Sequence, residues 1–230
     1  MGSDGTQCHH GLPSDVTECN HVACNFMGRW EDNAVGRLQE AAMELYREPG
    51  YDKVTVAEIA ERAGLTRRTF FRYFSDKREV LFFGAHKLEA FVVEVVLSAP
   101  EATPALEAVA AALAAVARRS DEEPTFADFA RDRHALIRTY AELHERELSK
   151  HASLALAMAG ALRQRGVNEP AASLAAEAGI AAFKVGFERW VDDPERRKMG
   201  AHLGEVMRGL ETVVVEQVTA ARAASPSRTH

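Results

Sequence analysis

Residues 54–78, VTVAEIAERAGLTRRTFFRYFSDKR, constrain this chain more than any other stretch. Ile59, Ala60 and Ala63 recur at helical spacing, and Gly64 then stops the run with a residue suited to a left-handed turn. Thr55 with Glu58 three residues later has the form of a capping box, and Thr66 is placed to cap the next helix. That next helix is short and dense in arginine and phenylalanine. Helix, tight turn, helix is the geometry that lays one helix in a DNA major groove.

The chain as a whole carries a formal net charge of -6 over 230 residues, which argues against binding a polyanion with its entire surface. The field that meets a phosphate is that of the nearest face, however. From Arg62 to Arg78 the charges are Arg62, Arg67, Arg68, Arg72, Lys77 and Arg78 against Asp76 alone. The acidic excess sits elsewhere, as in Asp121-Glu122-Glu123 and Asp192-Asp193.

Residues 1–30 have little periodicity and read as a disordered leader. Cys8, Cys19 and Cys24 all lie there, with His9, His10 and His21. Their spacing contains no C-x-x-C pair, so a flexible leader is the expectation, with metal or redox sensing the weighed alternative. No apolar run of about 18 residues exists and no signal-like start is visible, so no membrane span is expected and the cytoplasm is the default location.

Beyond the leader every segment reads as helix. Val35, Leu38, Ala41, Ala42, Leu45 and Tyr46 share one face until Pro49-Gly50. A fourth helix is expected from Ser75 or Asp76 to about Ser98, where Pro100 follows. Further helices are expected near 102–119, 124–138, 140–165, 171–191 and 195–222. The fold class is therefore all-α, with about nine helices. A three-helix head over 31–83 precedes a larger helical domain over 84–224, and 225–230 is a frayed tail.

At Ala41, Leu45, Gly50-Tyr51, Thr55-Val56, Ile59-Ala60, Ala63-Gly64-Leu65-Thr66, Thr69-Phe70-Phe71-Arg72-Tyr73-Phe74 and Lys77 the chain resembles the DNA-binding domain of tetracycline-repressor (TetR) family regulators. The resemblance implies a homodimer on a palindromic operator, usually a repressor, with a C-terminal domain that binds a small effector and dimerises. Arg67 and Arg68 are candidates for base edges, because a guanidinium can bond guanine N7 and O6 together. Thr66 and Thr69 suit phosphate or thymine-methyl contact, Arg72 the groove or a phosphate, and Thr55 joins this DNA-facing set. Tyr73 and Lys77 match family positions that hold the DNA backbone. Lys77 is expected near the start of the fourth helix, where a phosphate would offset an unfavourable dipole. Phe70 and Phe74 are expected in the core, and Phe71 likewise as a structural ring. Two departures are visible: Phe71 stands where many relatives carry tyrosine, and Arg68 where glycine is frequent.

The C-terminal half resembles family effector domains more loosely. Its patterns at Arg131–Tyr140 and Ala178–Trp190 are similar to the mycofactocin-system regulator type, which would imply an acyl-CoA ligand. Phe126, Phe129, His134, Ile137, Tyr140, His144, Met158, Phe183, Phe187 and Trp190 supply material for a pocket, with ordinary core packing the competing reading for each. Tyr140 and His144, four apart, are expected on one helical face. The last two long helices, through Ala181, Ala182, Val185, Phe187, Trp190, Leu203, Val206, Met207, Leu210, Val214 and Val218, are the dimerisation candidates. No HExxH, phosphate-cradling glycine loop or nucleophile elbow is present, so no catalytic residue, metal or cofactor is assigned. The rival class is a helical binding or scaffold protein without specific DNA binding.

Overall fold

A computed structural model describes residues 34–123 and 125–223 of the chain. The Cys/His-bearing leader and the tail from 225 lie outside the described residues, as do the side chains of Val214 and Val218. The described chain is all-α: α1 Ala34–Leu45, α2 Val56–Arg62, α3 Arg67–Tyr73, α4 Ala85–Ser98, α5 Ala105–Glu122, α6 Phe126–Thr139, α7 Ala141–Gln164, α8 Ala171–Val191 and α9 Met199–Ala223. No strand occurs among the described residues. No described helix is long and apolar enough to cross a membrane.

Local signals set the first three helices. The capping box at Thr55 closes both ways: Glu58 N donates to the Thr55 hydroxyl at 3.3 Å, and Thr55 N donates to the Glu58 carboxylate at 2.7 Å. At the turn before α3, Gly64 has φ +64°, and a Cβ there would lie 2.7 Å from the Arg37 guanidinium. Arg37 reaches across from α1 to donate to the Ala63 carbonyl, bracing the turn from behind. Leu38, Ile59 and Phe70 are fully buried where the three helices meet.

The expected single helix from Ser75 or Asp76 to Ser98 is instead two pieces. A short 3-10 turn covers Glu79–Phe82, Gly84 follows at φ +85°, and only then does α4 begin. Val80, Leu81 and Phe82 are all buried. Three consecutive residues cannot face one side of an α-helix, whose neighbours diverge by about 100°. The tight turn and the bend at Phe83 bring all three into the core. The Asp76 carboxylate starts this turn by accepting from Arg78 N at 2.8 Å and Glu79 N at 3.1 Å.

The body is a bundle in which α8 lies against α5, α7 and α9. Two glycines make the approach possible. A Cβ on Gly179 would lie 2.3 Å from a Val109 methyl of α5, and one on Gly186 would lie 2.4 Å from Leu203 of α9. The helix expected from residue 195 begins at Met199. Asp121 of α5 accepts from Met199 N at 2.8 Å and Gly200 N at 3.2 Å, a carboxylate on a helix start supplied from another helix. Asp193 meanwhile holds 195–197 in a turn by accepting from Glu195 N and Arg197 N.

Two hydrophobic cores result, and they do not divide at residue 83. The head core takes Leu136, Ile137 and Leu143 from α6 and α7, with Phe129 and Tyr140 packed against it. The body core is built from α4, α5, α7, α8 and α9, with Ala130 from α6. Helix α6 thus contributes to both.

Candidate nucleic-acid interface

Helix α3 presents two unlike sides. Phe70 and Phe74 point into the head, their rings 5.3 Å apart, and anchor the helix. Arg67, Arg68, Phe71 and Arg72 lie on the outer surface, at positions i, i+1, i+4 and i+5 of one stripe. Thr66 caps the helix by accepting from Thr69 N at 3.1 Å, and the two threonine hydroxyls lie 3.0 Å apart. Thr55 and Thr66 are exposed and Thr69 is half-buried, and Thr66 directly precedes the two arginines.

The arginines around α3 differ in their partners. Arg62 pairs with Glu44 at 3.0 Å, Arg78 with Asp76 at 3.0 Å, and Arg72 bonds the Tyr73 hydroxyl and covers its ring. Among the described residues Arg67 and Arg68 make no hydrogen bond, ion pair or ring contact, and both are exposed. Two guanidinium groups without protein counter-charge at one end of an anchored helix form a site of positive potential open to an external anion.

Two residues are placed otherwise than expected. Phe71 is 50% exposed rather than inward, so the α3 surface carries an apolar ring among its cations. Its spacing of four from Arg67 was the signal that could have found it. Lys77 does not sit at the start of a helix. Its ammonium donates to the carbonyls of Tyr51 at 2.7 Å and Val54 at 3.0 Å, and lies 4.2 Å from the Tyr51 ring centre. The positive charge thus closes the turn leading into α2, so the expected dipole cost does not arise.

The ten pocket candidates separate between the two cores. Phe126, Met158, Phe183, Phe187 and Trp190 belong to the body. There Phe183, Phe187, Trp190 and Phe126 form a ladder with successive ring centres 5.7, 5.5 and 6.1 Å apart. His134 meets this ladder edge-on, 5.6 Å from Phe187, and burial, with Arg138 nearby, lowers its pKa. Its buried Nε2 has no hydrogen-bond partner. Phe129, Ile137 and Tyr140 instead pack on the head. His144 is exposed, and Tyr140 lies in the extended joint between α6 and α7, so the two do not share a helical face as expected. The Tyr140 hydroxyl accepts from Tyr51 N at 3.2 Å and ties the joint to the head.

A charged group that sequence reasoning missed joins head and body. Arg146 of α7 forms two bonds with Glu79, at 2.6 and 3.0 Å. Arg133 of α6 donates to the Leu81 carbonyl at 2.7 Å and to Glu147 at 2.6 Å, and Lys150 also bonds Glu147 at 2.6 Å. Burial opposes the charged Glu147 carboxylate, but Arg133 and Lys150 hold its pKa well below the usual range. Burial, with Arg133 beside it, brings Lys150 down to about 8. Burial and Lys150 bring the neighbouring His151 down to about 4. Among the described residues no group of three or more His, Cys, Asp or Glu could hold a metal ion.

Residues 38–82 match the family model of bacterial regulatory proteins, tetR family. An uncharacterized HTH-type transcriptional regulator of Mycobacterium tuberculosis is 36% identical over 84 residues, covering 36% of this chain and 43% of that protein. The chain therefore matches less than half of that relative's length. A candidate mycofactocin biosynthesis transcriptional regulator from the same organism is 35% identical over 54 residues, 24% of this chain and 27% of its own, too short to span the body. The body's architecture has a counterpart in the transcriptional regulator FadR of Bacillus subtilis, solved with stearoyl-CoA. The TM-score is 0.52 at 20% identity, over 76% of this chain and 96% of that one, which shows a shared fold. The capped head of three helices, over residues 38–82, is the part of the chain that matches the tetR family of bacterial regulatory proteins.

Proposed function

We propose that the chain is a cytoplasmic, sequence-specific DNA-binding regulator, a repressor whose hold on its operator is relieved by a small apolar or amphipathic effector in the body. One observation carries the DNA reading: Arg67 and Arg68 are exposed and have no partner among the described residues, on an α3 anchored by Phe70 and Phe74. Helix α3 enters the major groove, with Arg67 and Arg68 toward base edges and Phe71 placed to meet a thymine methyl. Thr55, Thr66, Thr69, Arg72 and Tyr73 face the phosphate backbone, which sets register rather than sequence. Lys77 contributes through the turn at Tyr51–Val54 that it braces.

The homodimer belongs to the same proposal. Leu174, Ala178, Ala181 and Val185 form a stripe at spacings of four, three and four along α8, and Leu174 and Val185 are 65% and 49% exposed. Ala182, Trp190, Leu203 and Met207 close the monomer's own core and are not available to a partner. A two-fold axis through α8 and α9 would present two α3 helices to an inverted repeat. The effector reading draws on the body's aromatic ladder and on the amphipathic ligand held by the Bacillus subtilis protein of like fold.

Selection of bound sites from randomised duplex DNA at fixed salt tests the proposal. Enriched inverted repeats are expected, with enrichment lost in Arg67→Ala/Arg68→Ala. Equal recovery of all sequences, or unchanged enrichment in that double variant, would defeat it in favour of a helical binding protein without specific DNA recognition.

A further inference from the structure

Phe71 is an apolar ring set among cations. Arg67 and Arg68 lie one helical turn before it, four and three residues earlier, and Arg72 follows it. All four side chains are exposed, Phe71 to 50%. A surface made only to hold phosphates gains nothing from a phenyl group, which offers neither a charge nor a hydroxyl. The ring is also held in place. It stands edge-on to the fully buried Phe70, with centres 5.5 Å apart and planes at 81°. Phe70 in turn packs against Phe74, so Phe71 is braced from the head core.

The major groove offers such a ring one apolar partner. The base edges there display hydrogen-bonding atoms and a single apolar group, the C5-methyl of thymine. Cytosine has a bare C5–H at that position and gains the same methyl when it is methylated at C5. Thymine and 5-methylcytosine differ at C4, as carbonyl and amine, and a phenyl ring hydrogen-bonds neither. A contact to the methyl alone therefore accepts both and separates them from unmethylated cytosine.

Arg67 and Arg68 set what stands beside that methyl. Side chains three and four apart on a helix have Cβ atoms about 5–6 Å apart, and bases along a strand follow every ~3.4 Å. Contacts from Phe71 and from either arginine thus fall about one or two base steps apart. The base that a guanidinium bonds best is guanine. We infer that α3 reads a guanine together with a C5-methylated pyrimidine one or two steps away, Phe71 taking the methyl, so that methylation of a cytosine at that position raises affinity. The inference rests on the DNA reading above and extends it to control by the methylation state of the site.

Anisotropy titrations at fixed salt test it on the operator enriched from randomised duplex DNA. Deoxyuridine is placed at each thymine in turn, which removes the methyl and keeps the pairing edge. At one thymine per half-site the loss should be about three- to fivefold, the scale of one buried methyl group. With that pair changed to C·G, methylating the cytosine at C5 should recover about three- to fivefold over the unmethylated duplex. Phe71→Ala should be indifferent to both changes, while Phe71→Leu, still apolar, should keep part of the response. Melting by circular dichroism checks that both variants fold. Uracil tolerated at every thymine, or a folded Phe71→Ala protein as methyl-sensitive as the parent, would overturn the inference. An operator bound without methyl dependence removes this inference alone, whereas failure to enrich any operator rejects the regulator reading as well.

Discussion

The outer face of α3 and the head–body junction use arginine in opposite ways. On α3 the cations are exposed and meet no carboxylate among the described residues, so their charge projects outward. At the junction the cations are tucked against Phe82 and bound to Glu79, Glu147 and a backbone carbonyl, so their charge is spent internally. The difference teaches that count of basic residues is a poor guide to what a surface does. A matched cation fixes geometry, and an unmatched one recruits a partner.

The sharpest way to break the comparison is to unmatch the buried side. Glu147→Ala leaves Arg133 and Lys150 facing each other without a carboxylate. It should destabilise the fold by about 3–5 kcal/mol in urea denaturation. A loss below 1 kcal/mol would show that the junction tolerates free charge as α3 does. The converse holds on α3. Arg67→Ala or Arg68→Ala should each cost about 1–3 kcal/mol of specific DNA affinity, read by fluorescence anisotropy at fixed salt. Stability should stay within roughly 0.5 kcal/mol, since both side chains are exposed and bond to nothing among the described residues.

Acid distinguishes the regions more gently. His151 has its folded pKa depressed to about 4 by burial, against about 6.5 when unfolded. Between those values the unfolded chain binds the extra proton, so stability should be fully present above about pH 6.5 and decline as pH falls toward 4. A loss on the order of 1–2 kcal/mol across that window is expected, and His151→Phe should flatten it. An unchanged slope in the variant would place the titration elsewhere. The smallest effect belongs to Glu44→Ala. Its pair with Arg62 is half-exposed, and thermal melts should register under about 1 kcal/mol.

Most of the helical architecture was legible because its signals are local. Thr55 and Glu58, Thr66 and Gly64 each act within four residues, and each marks the boundary it was expected to mark. By contrast, α1 ends at Leu45, and a π turn carries the chain from Tyr46 through Pro49 to Gly50. Signals that cross the chain were not legible. Nothing near Lys77 names the Tyr51 and Val54 carbonyls it closes, and nothing near Met199 names Asp121. Val80-Leu81-Phe82 did hold a readable warning, since three consecutive buried apolar residues do not fit an α-helix on a surface. Phe71 was misplaced because its aromatic neighbours set the expectation, when its spacing from Arg67 was the better guide. The junction cluster was missed because Glu79, Arg133, Arg146, Glu147 and Lys150 come from three separate segments and form no motif in any one of them.

Helix α8 has its backbone pressed against Val109 on one side and Leu203 on the other, with glycine at both points of contact. A rod wedged between two neighbours without side chains as cushions cannot slide or roll without collision. Its place in the bundle is therefore fixed by shape at both contacts. Enlarging Gly179 or Gly186 to alanine would drive a methyl into Val109 or Leu203, so such variants should melt at lower temperature while the α3 surface keeps its chemistry.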